Sequence, residues 1–417
     1  MILTKSKEIH KRAVKVIPGG ISTISKNYDR FPPSAPPAIK SAKGCKIWDY
    51  DGNEYTDWSA SLGPIILGYN FFDYEAKNTL YPMQNHLEVE LAEKLIDIIP
   101  CAEMVRFFKN GSDATSAAVR LSRYMGGSKQ GNGILCSGYH GWHDWYSSTL
   151  PMPKRGGVIG FETTKIPYGD LKVVESFFAQ FNPSCFILEP MSRLTPELAS
   201  KEYLQGVRNL CDKYNVILIF DEVIMGFRHA IAGGQELYGV VPDLATYSKA
   251  MGNGFPISCL VGKRSLMKEI KKLQVSATFC CDVLPMKAAL DTIDFIEKND
   301  VIFHLNHKGE ILKRGLEEKI HKNGLTDLVK VKGFGPWNKL EWKEEYKDEE
   351  RIWWNELFQL GMFYSSEHFM MWSHKLEDVL NAIERHDIAF SMLKDYRKLG
   401  MVKDKIKEMD KEMDYVS

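Results

Sequence analysis

The chain has no long apolar run, no excess of either charge, no paired cysteine motif and no internal repeat. Each absence removes a class of function. No stretch approaches the roughly 20 apolar residues that a membrane-spanning helix needs. Lys plus Arg and Asp plus Glu stand at 54 each, so nothing in the charge favours nucleic acid or an anionic membrane as a partner. The opening segment, MILTKSKEIHKRAVKVIPGG, carries charges throughout and lacks the apolar centre of a secretory leader. Eight cysteines occur, at 45, 101, 136, 185, 211, 259, 280 and 281, and none forms a CxxC pair. Several lie in apolar runs such as GILCSG and SCFILEP. They read as free, mostly buried thiols of a reducing compartment, and their spacing argues against zinc. The expectation is a cytoplasmic protein without a metal site.

What is present is an ordinary globular composition over 417 residues, 44% hydrophobic and 26% charged, enough for one large domain and a smaller one. Residues 1–75 begin with a helical stretch, then PGG and the proline-rich RFPPSAPPAIK, which suits neither regular helix nor central strand. In KIWDYDGNEYTDW, an Asp-Gly step between two alternating runs signals a hairpin. HLEVELAEKLIDII has the three- and four-residue apolar spacing of an amphipathic helix. From about 76 to 295, short apolar runs (MVRFF, GILCS, CFILEP, VILIFDE, DLATYSK, PISCLVG) alternate with helical stretches. Strands that read as continuous apolar runs are buried on both faces, and alternation with helices implies mostly parallel pairing. This region is expected to be a large α/β domain. Residues 296–417 are helix-rich, with strand candidates LVKVKGF and GMFYSS and a charged tail that reads as a solvated helix. Together with 1–75 they are assigned to a small α+β domain.

Ligands of α/β sheets bind outside the carboxyl ends of the strands, so polar residues there carry the most information. After the strand near 104–108 come Lys109, Asn110, Gly111 and Ser112, and then a helix. Gly111 permits close backbone approach, Ser112 offers a hydroxyl, and the helix N-terminus suits a phosphate; Asn-Gly-Ser is equally ordinary turn chemistry. Asp221 ends VILIF. A carboxylate there needs a partner, and either a pyridinium N–H or the next loop's backbone would serve. Lys249 follows a short strand about thirty residues further on, where partial desolvation would make it an imine-forming nucleophile and proton carrier. In CSGYHGWHDWY, Tyr139 is placed to stack on a planar ring and His140 to hydrogen-bond beside it. Trp142 and Trp145 read as ordinary packing.

These segments, in this order and spacing, resemble the class III aminotransferases that use pyridoxal 5'-phosphate, and among them glutamate-1-semialdehyde 2,1-aminomutase and its relatives. KVIPGGIST, SLGPIILGY, DEVIMGFR and YSKAMGNGFPIS carry the resemblance along nearly the whole chain. It implies a fold-type I transferase, with a mostly parallel seven-stranded sheet in the large domain, acting as a homodimer with shared active sites. It implies Lys249 as the Schiff-base lysine, Asp221 as the partner of the pyridine nitrogen, and Tyr139 stacked on the ring. Gly111 and Ser112 resemble phosphate ligands, with His140 nearby. Val223 resembles the residue packed on the opposite ring face, Glu189 a strand-end glutamate at the pocket, and Thr278 a threonine that reaches the phosphate of the partner subunit. The implied reaction moves an amino group from a small-molecule donor to a carbonyl acceptor, or within one molecule.

Three substrate-side positions depart from the aminomutase pattern. Lys26 stands where that enzyme has a carboxylate-binding arginine, and lysine lacks the two-pronged geometry. Ser61-Leu62 replaces serine-tryptophan. Phe279-Cys280-Cys281-Asp282 replaces a small loop, with the two thiols read as space-filling. The expected acceptor is therefore a different small or sugar-like aldehyde or ketone.

Overall fold

The Asp51-Gly52 step does close a hairpin. β1 (Ile39–Lys43) runs antiparallel to β2 (Lys46–Asp49), and β2 returns as β3 (Glu54–Asp57) through Gly52 at φ +91°. A residue without Cβ takes that angle at least cost. Ile47 sits opposite Tyr55 in this pairing, and both are buried. In the computed structural model the described residues are 1–75, 79–126, 133–160 and 162–414. They divide into two units: Met1–Asp73 with Phe303–Ser417, and Tyr74–Ile302. The hairpin belongs to the first.

Tyr74–Ile302 is built on a seven-stranded sheet. Its strands are β4 (Met104–Phe108), β5 (Ile134–Ser137), β6 (Thr163–Lys165), β7 (Cys185–Leu188), β8 (Ile217–Asp221), β9 (Leu244–Tyr247) and β10 (Ser258–Gly262). The order is β4-β10-β9-β8-β7-β5-β6. β10 is antiparallel to both neighbours, and the other pairs are parallel. Every residue of β5, β7, β9 and β10 is buried, as their continuous apolar character requires.

The helix Gly111–Gly126 lays Ala114, Ala117, Ala118 and Leu121 into one cluster with Ile187, Ile219, Leu244 and Leu260. Small residues at three- and four-residue spacing bring the helix close to the sheet. Other helices start where a side chain closes the first turn. Asn85 accepts from Leu87 N, Asp170 from Lys172 N, and Ser200 from Tyr203 N. Asn182 and Asn215, in left-handed conformations, end two of them.

The remainder of the first unit adds β11 (Val329–Phe334), β12 (Trp337–Trp342), β13 (Met362–Phe363) and β14 (His368–Phe369). β13 extends the hairpin sheet, parallel to β3, while β11, β12 and β14 form a three-stranded antiparallel sheet. The helix Leu376–Lys398 buries Val379, Ile383 and Phe390. The charged tail is a helix over Val402–Asp414, and the last three residues of that segment lie outside the described residues.

Candidate active site

Four strands of the large sheet deliver polar residues to its carboxyl edge. β4 ends at the Lys109-Asn110 turn. Asn110 O accepts from Asp113 N, and Asp113 Oδ2 accepts from Asn110 N at 2.8 Å, which fixes the first turn of the helix Gly111–Gly126. β5 leads through Gly138 to Tyr139 and His140, β7 to Glu189, and β8 ends on Asp221.

Tight contacts join these loops. A Cβ on Gly111 would stand 3.0 and 3.1 Å from the two methyls of Val223. Gly141, at φ +100°, lies so close to Ser112 that a Cβ there would overlap the serine hydroxyl. Thr115 Oγ1 donates to His140 O at 3.0 Å. Gly111, Ser112, His140, Asp221 and Val223 are therefore brought together, although they span more than a hundred residues of sequence.

Asp221 is 6% exposed. Its Oδ2 lies 2.8 Å from His140 Nδ1, and its Oδ1 accepts from Val223 N at 3.2 Å and Thr246 Oγ1 at 3.3 Å. His140 Nε2 meets Ser137 O at 3.1 Å. Both ring nitrogens thus face oxygen atoms. Next door, Glu189 Oε2 accepts from Tyr139 N at 3.2 Å. Burial raises the Glu189 carboxyl to about 6, against the opposing charge of His140. Glu222 is pushed up to about 8 by burial, and it accepts from Gly234 N and Gln235 N, a structural role beneath the site.

Lys249 follows β9, whose Thr246 is registered against Asp221. It is half-buried and takes φ +43°, after a Ser248 held by its hydroxyl on Ile257 O at 2.9 Å. A side-chain-bearing residue in the left-handed region costs about 1 kcal/mol and persists where surroundings impose it. Tyr139 is 51% exposed, with its ring edge-on to Tyr146 at 5.4 Å. Trp145 packs inside and donates to Ser116 Oγ. Trp142 does not pack as its aromatic character suggested: it is 71% exposed, carried outward just past the turn at Gly141. Thr278 lies exposed in a short 3-10 turn, Thr278–Cys281, in which Cys280 packs against the core.

Lys26, Ser61 and Leu62 form a separate cluster in the other unit. Lys26 Nζ donates to Ser61 Oγ at 2.6 Å, and all three line a cavity of about 460 Å³ with the buried Asp57. Burial lowers the Lys26 ammonium pKa, against the nearby Asp57 charge. Ala60, Ser61 and Leu62 all have positive φ, a strained turn that presents Ser61.

Sequence reasoning missed Thr246, a polar residue inside an apolar strand. It also missed Arg193, four residues past Glu189, whose charge acts on Tyr139, Tyr146 and Glu189.

The donor set fits a phosphorylated pyridine aldehyde. A helix N-terminus that opens on a glycine packed tightly against Val223 suits a phosphate, a buried carboxylate suits a ring N–H, and a half-buried amine stands on the neighbouring strand end.

Comparison with known proteins agrees. A family model described as Aminotransferase class-III matches residues 28–150 and 179–371. The 3-aminobutyryl-CoA aminotransferase of Cloacimonas acidaminovorans (strain Evry) is 30% identical over 407 residues, covering 92% of this chain and 95% of its own. The glutamate-1-semialdehyde 2,1-aminomutase of Fusobacterium nucleatum subsp. nucleatum is 30% identical over 438 residues, covering 94% and 99%. Among solved structures, the PLP-bound FumI protein of Sphingopyxis sp. MTA144 superposes with a TM-score of 0.83 at 26% identity, covering 95% of this chain and 98% of that one. An omega-transaminase from Sphaerobacter thermophilus shares the fold with a TM-score of 0.82 at 22% identity, covering 93% and 98%. The architecture is that of the fold-type I transferases. With the family model spanning most of its length, the chain belongs to the class III aminotransferases, enzymes that work with pyridoxal phosphate.

Proposed function

We propose that this enzyme transfers an amino group from a small-molecule donor to a small or sugar-like aldehyde or ketone, with Lys249 as the covalent anchor of the coenzyme. The single observation that carries the reading is the adjacency of two strand ends. Asp221 closes β8 opposite Thr246, and Lys249 leaves the same neighbouring strand three residues later. When bound, pyridoxal phosphate supplies an aldehyde that condenses with amines and a ring that accepts the electrons released when a substrate C–H bond breaks.

The chain's own residues do the rest. Asp221 holds a proton on the ring nitrogen, and His140 fixes the carboxylate that does so. Gly111 N–H and the Ser112 hydroxyl would hold the phosphate at the helix N-terminus. Tyr139 and Val223 would flank the ring, with Glu189 bracing the Tyr139 backbone. The Lys249 amine would serve as the base that takes the proton from the substrate carbon and as the acid that returns it. Tyr74–Ile302 is read as the coenzyme domain and the unit formed by the chain ends as the small domain. The enzyme is read as a homodimer in which Thr278 serves the site of the partner subunit. The eight free cysteines suit a reducing cytoplasm.

A second reading, intramolecular transfer, is favoured by the curated relatives that carry the aminomutase name. Glutamate-like donors separate the two. A transferase converts the purified holoenzyme to its amine-carrying form and releases an oxo acid, whereas a mutase turns over one substrate with no donor. Lys249→Ala should abolish both turnover and the long-wavelength absorbance of the lysine-bound coenzyme. Survival of either would refute the assignment.

A further inference from the structure

The cavity of the first unit has apolar walls that the coenzyme chemistry does not use. Its lining comes entirely from Met1–Asp73 and Phe303–Ser417, and its volume of about 460 Å³ falls in the range of small-molecule sites, about 300–1,000 Å³. Two sequence features without a part in the coenzyme site, PGG and the proline-rich RFPPSAPPAIK, both contribute to it. Phe31, Pro36 and Pro37 form one wall. The proline rings fix their own backbone angles, and Ser34 beside them is anchored, with Oγ donating to Asn355 O at 2.8 Å and N to Asn355 Oδ1 at 3.3 Å. Ile9 and Ala13 of the helix Thr4–Val16 form a second wall, and Ala42 and Ile47 of the β1–β2 hairpin a third. Small residues keep the space open: Ala13, Ala38 and Ala42 each reach it with a single methyl. Gly20, at φ +73°, lies where a Cβ would stand 3.1 Å from both the His10 ring and a Val14 methyl.

Polar atoms are linked into one cluster of the lining. Asp57 Oδ1 accepts from Ser59 N at 2.8 Å and Ser59 Oγ at 2.7 Å, and Asp57 Oδ2 accepts from Tyr69 OH at 2.8 Å. Ser61 N donates to Ser59 Oγ at 3.3 Å, and Ser61 Oγ accepts from Lys26 Nζ at 2.6 Å. Lys26 is exposed as a residue, yet its amine is turned in onto Ser61, and an ammonium has three donors. One positive and one negative group therefore face the same space, so this end of the cavity is close to neutral overall. Other ionisable groups leave that balance in place: burial holds His10 toward its neutral form, and Tyr28 OH donates to Pro33 O at 3.1 Å.

We infer that this cavity binds a small amphipathic molecule, an apolar chain of several carbons ending in a neutral oxygen, with Lys26 donating to that oxygen. The inference goes beyond the transfer reaction and does not rest on the Lys249 assignment. A chain laid against Ile9, Phe31 and the proline rings leaves water at no cost in hydrogen bonds, whereas a sugar would bring hydroxyls to walls that cannot pair them. A carboxylate in place of the neutral oxygen would be drawn to Lys26 and repelled by Asp57, and so gains little.

The test is calorimetric titration of the holoenzyme with butan-1-ol, pentan-1-ol, hexan-1-ol and heptan-1-ol. Affinity should rise about fourfold per methylene until the cavity is filled, with a negative heat-capacity change. Hexanoate should bind no more than about fivefold tighter than hexan-1-ol, and glucose should bind more weakly than either. Ala13→Phe fills the space from the helix wall and should weaken hexan-1-ol at least about tenfold. Ala42→Leu fills it from the hairpin wall and serves the same purpose if the first variant does not fold, which thermal unfolding reports. Lys26→Met removes the donor and should weaken hexan-1-ol about 5- to 10-fold while leaving the chain-length dependence intact. The inference is overturned if affinity does not rise with chain length, if glucose binds as tightly as hexan-1-ol, or if hexanoate exceeds the fivefold limit. Undiminished binding of hexan-1-ol by a folded, filled variant or by Lys26→Met overturns it as well.

Discussion

Replacing His140 with phenylalanine tests whether the Asp221 carboxylate is held by its neighbour. The imidazole side chain has no exposed surface and lies 6.2 Å from the Trp145 ring, stacked, and 5.6 Å from the Tyr146 ring, edge-on. A benzyl group fills nearly the same space, so the substitution deletes hydrogen bonds and leaves the packing largely intact. Two acceptors lose their partner: Asp221 Oδ2, at 2.8 Å, and Ser137 O, at 3.1 Å. An unsatisfied buried acceptor costs about 1–3 kcal/mol, more where it is charged, and here two acceptors are left without a donor. The added apolar surface returns roughly 1 kcal/mol. The apoenzyme should therefore lose about 3 kcal/mol in urea unfolding. Asp221 also loses the group that orients it, so the coenzyme should dissociate at least about tenfold more readily, measured by dialysis against absorbance. Unfolding within about 0.5 kcal/mol of the parent, together with unchanged coenzyme retention, would show that His140 does not hold Asp221.

Two further outcomes follow from the geometry. Gly141→Ala combines a φ of +100° with overlap of Ser112 Oγ, so it should cost about 2 kcal/mol and shrink the binding advantage of pyridoxal phosphate over pyridoxal; equal weakening of both would detach Ser112 from the phosphate. Acid should destabilise the first unit through its buried histidines, because burial holds His374 down to about 4 and His386 to about 3, both from 6.5. Unfolding frees them to bind protons, so their contribution is intact above about pH 6.5 and erodes below it, by about 4 kcal/mol in total between pH 6.5 and 4.5. His386→Phe should remove about half of that slope in unfolding titrations, and an unchanged slope would count against the histidine linkage. The hydrogen bonds around both rings fit neutral imidazoles. His374 Nδ1 accepts from Met371 N at 3.0 Å, and the Nε2 atoms of His368 and His386 face each other at 3.1 Å, where they share one proton.

The central sheet was readable because its strands are buried on both faces, which forces continuous apolar runs bounded by glycine or polar residues. The same pattern singled out Asp221 and Lys249 as candidates, since each ends or follows such a run, whereas Glu189 came only from the family resemblance. β12 was not readable: WNKLEW alternates weakly, and it pairs with β11 through a turn at Gly335, φ +55°, that the pattern does not announce. Trp142 was misjudged for a related reason. Aromatic character predicts burial on average, but the direction of a side chain beside a positive-φ glycine depends on the turn and not on its own chemistry. Contacts between distant segments were invisible altogether. Nothing in the sequence pairs His140 with Asp221, or Gly141 with Ser112, because hydrogen bonds across 81 residues leave no periodic trace.

The division between what could and could not be read follows the chemistry. A coenzyme with one phosphate, one ring nitrogen and one aldehyde demands a phosphate cradle, an acid and an amine at fixed places, so candidates of those types stand out in a single chain. A substrate demands only complementary charge at a suitable distance, and many arrangements satisfy that. Lys26 illustrates the difference. Its ammonium uses one of three donors on Ser61 at 2.6 Å, is drawn down in pKa by burial, and is tied to a turn of three consecutive positive-φ residues. A group read by Lys26 would therefore meet a tethered point donor beside the neutral Leu62, not the flat fork of an arginine beside an aromatic wall. A compact dicarboxylate gripped at both ends by arginines is poorly matched to that arrangement.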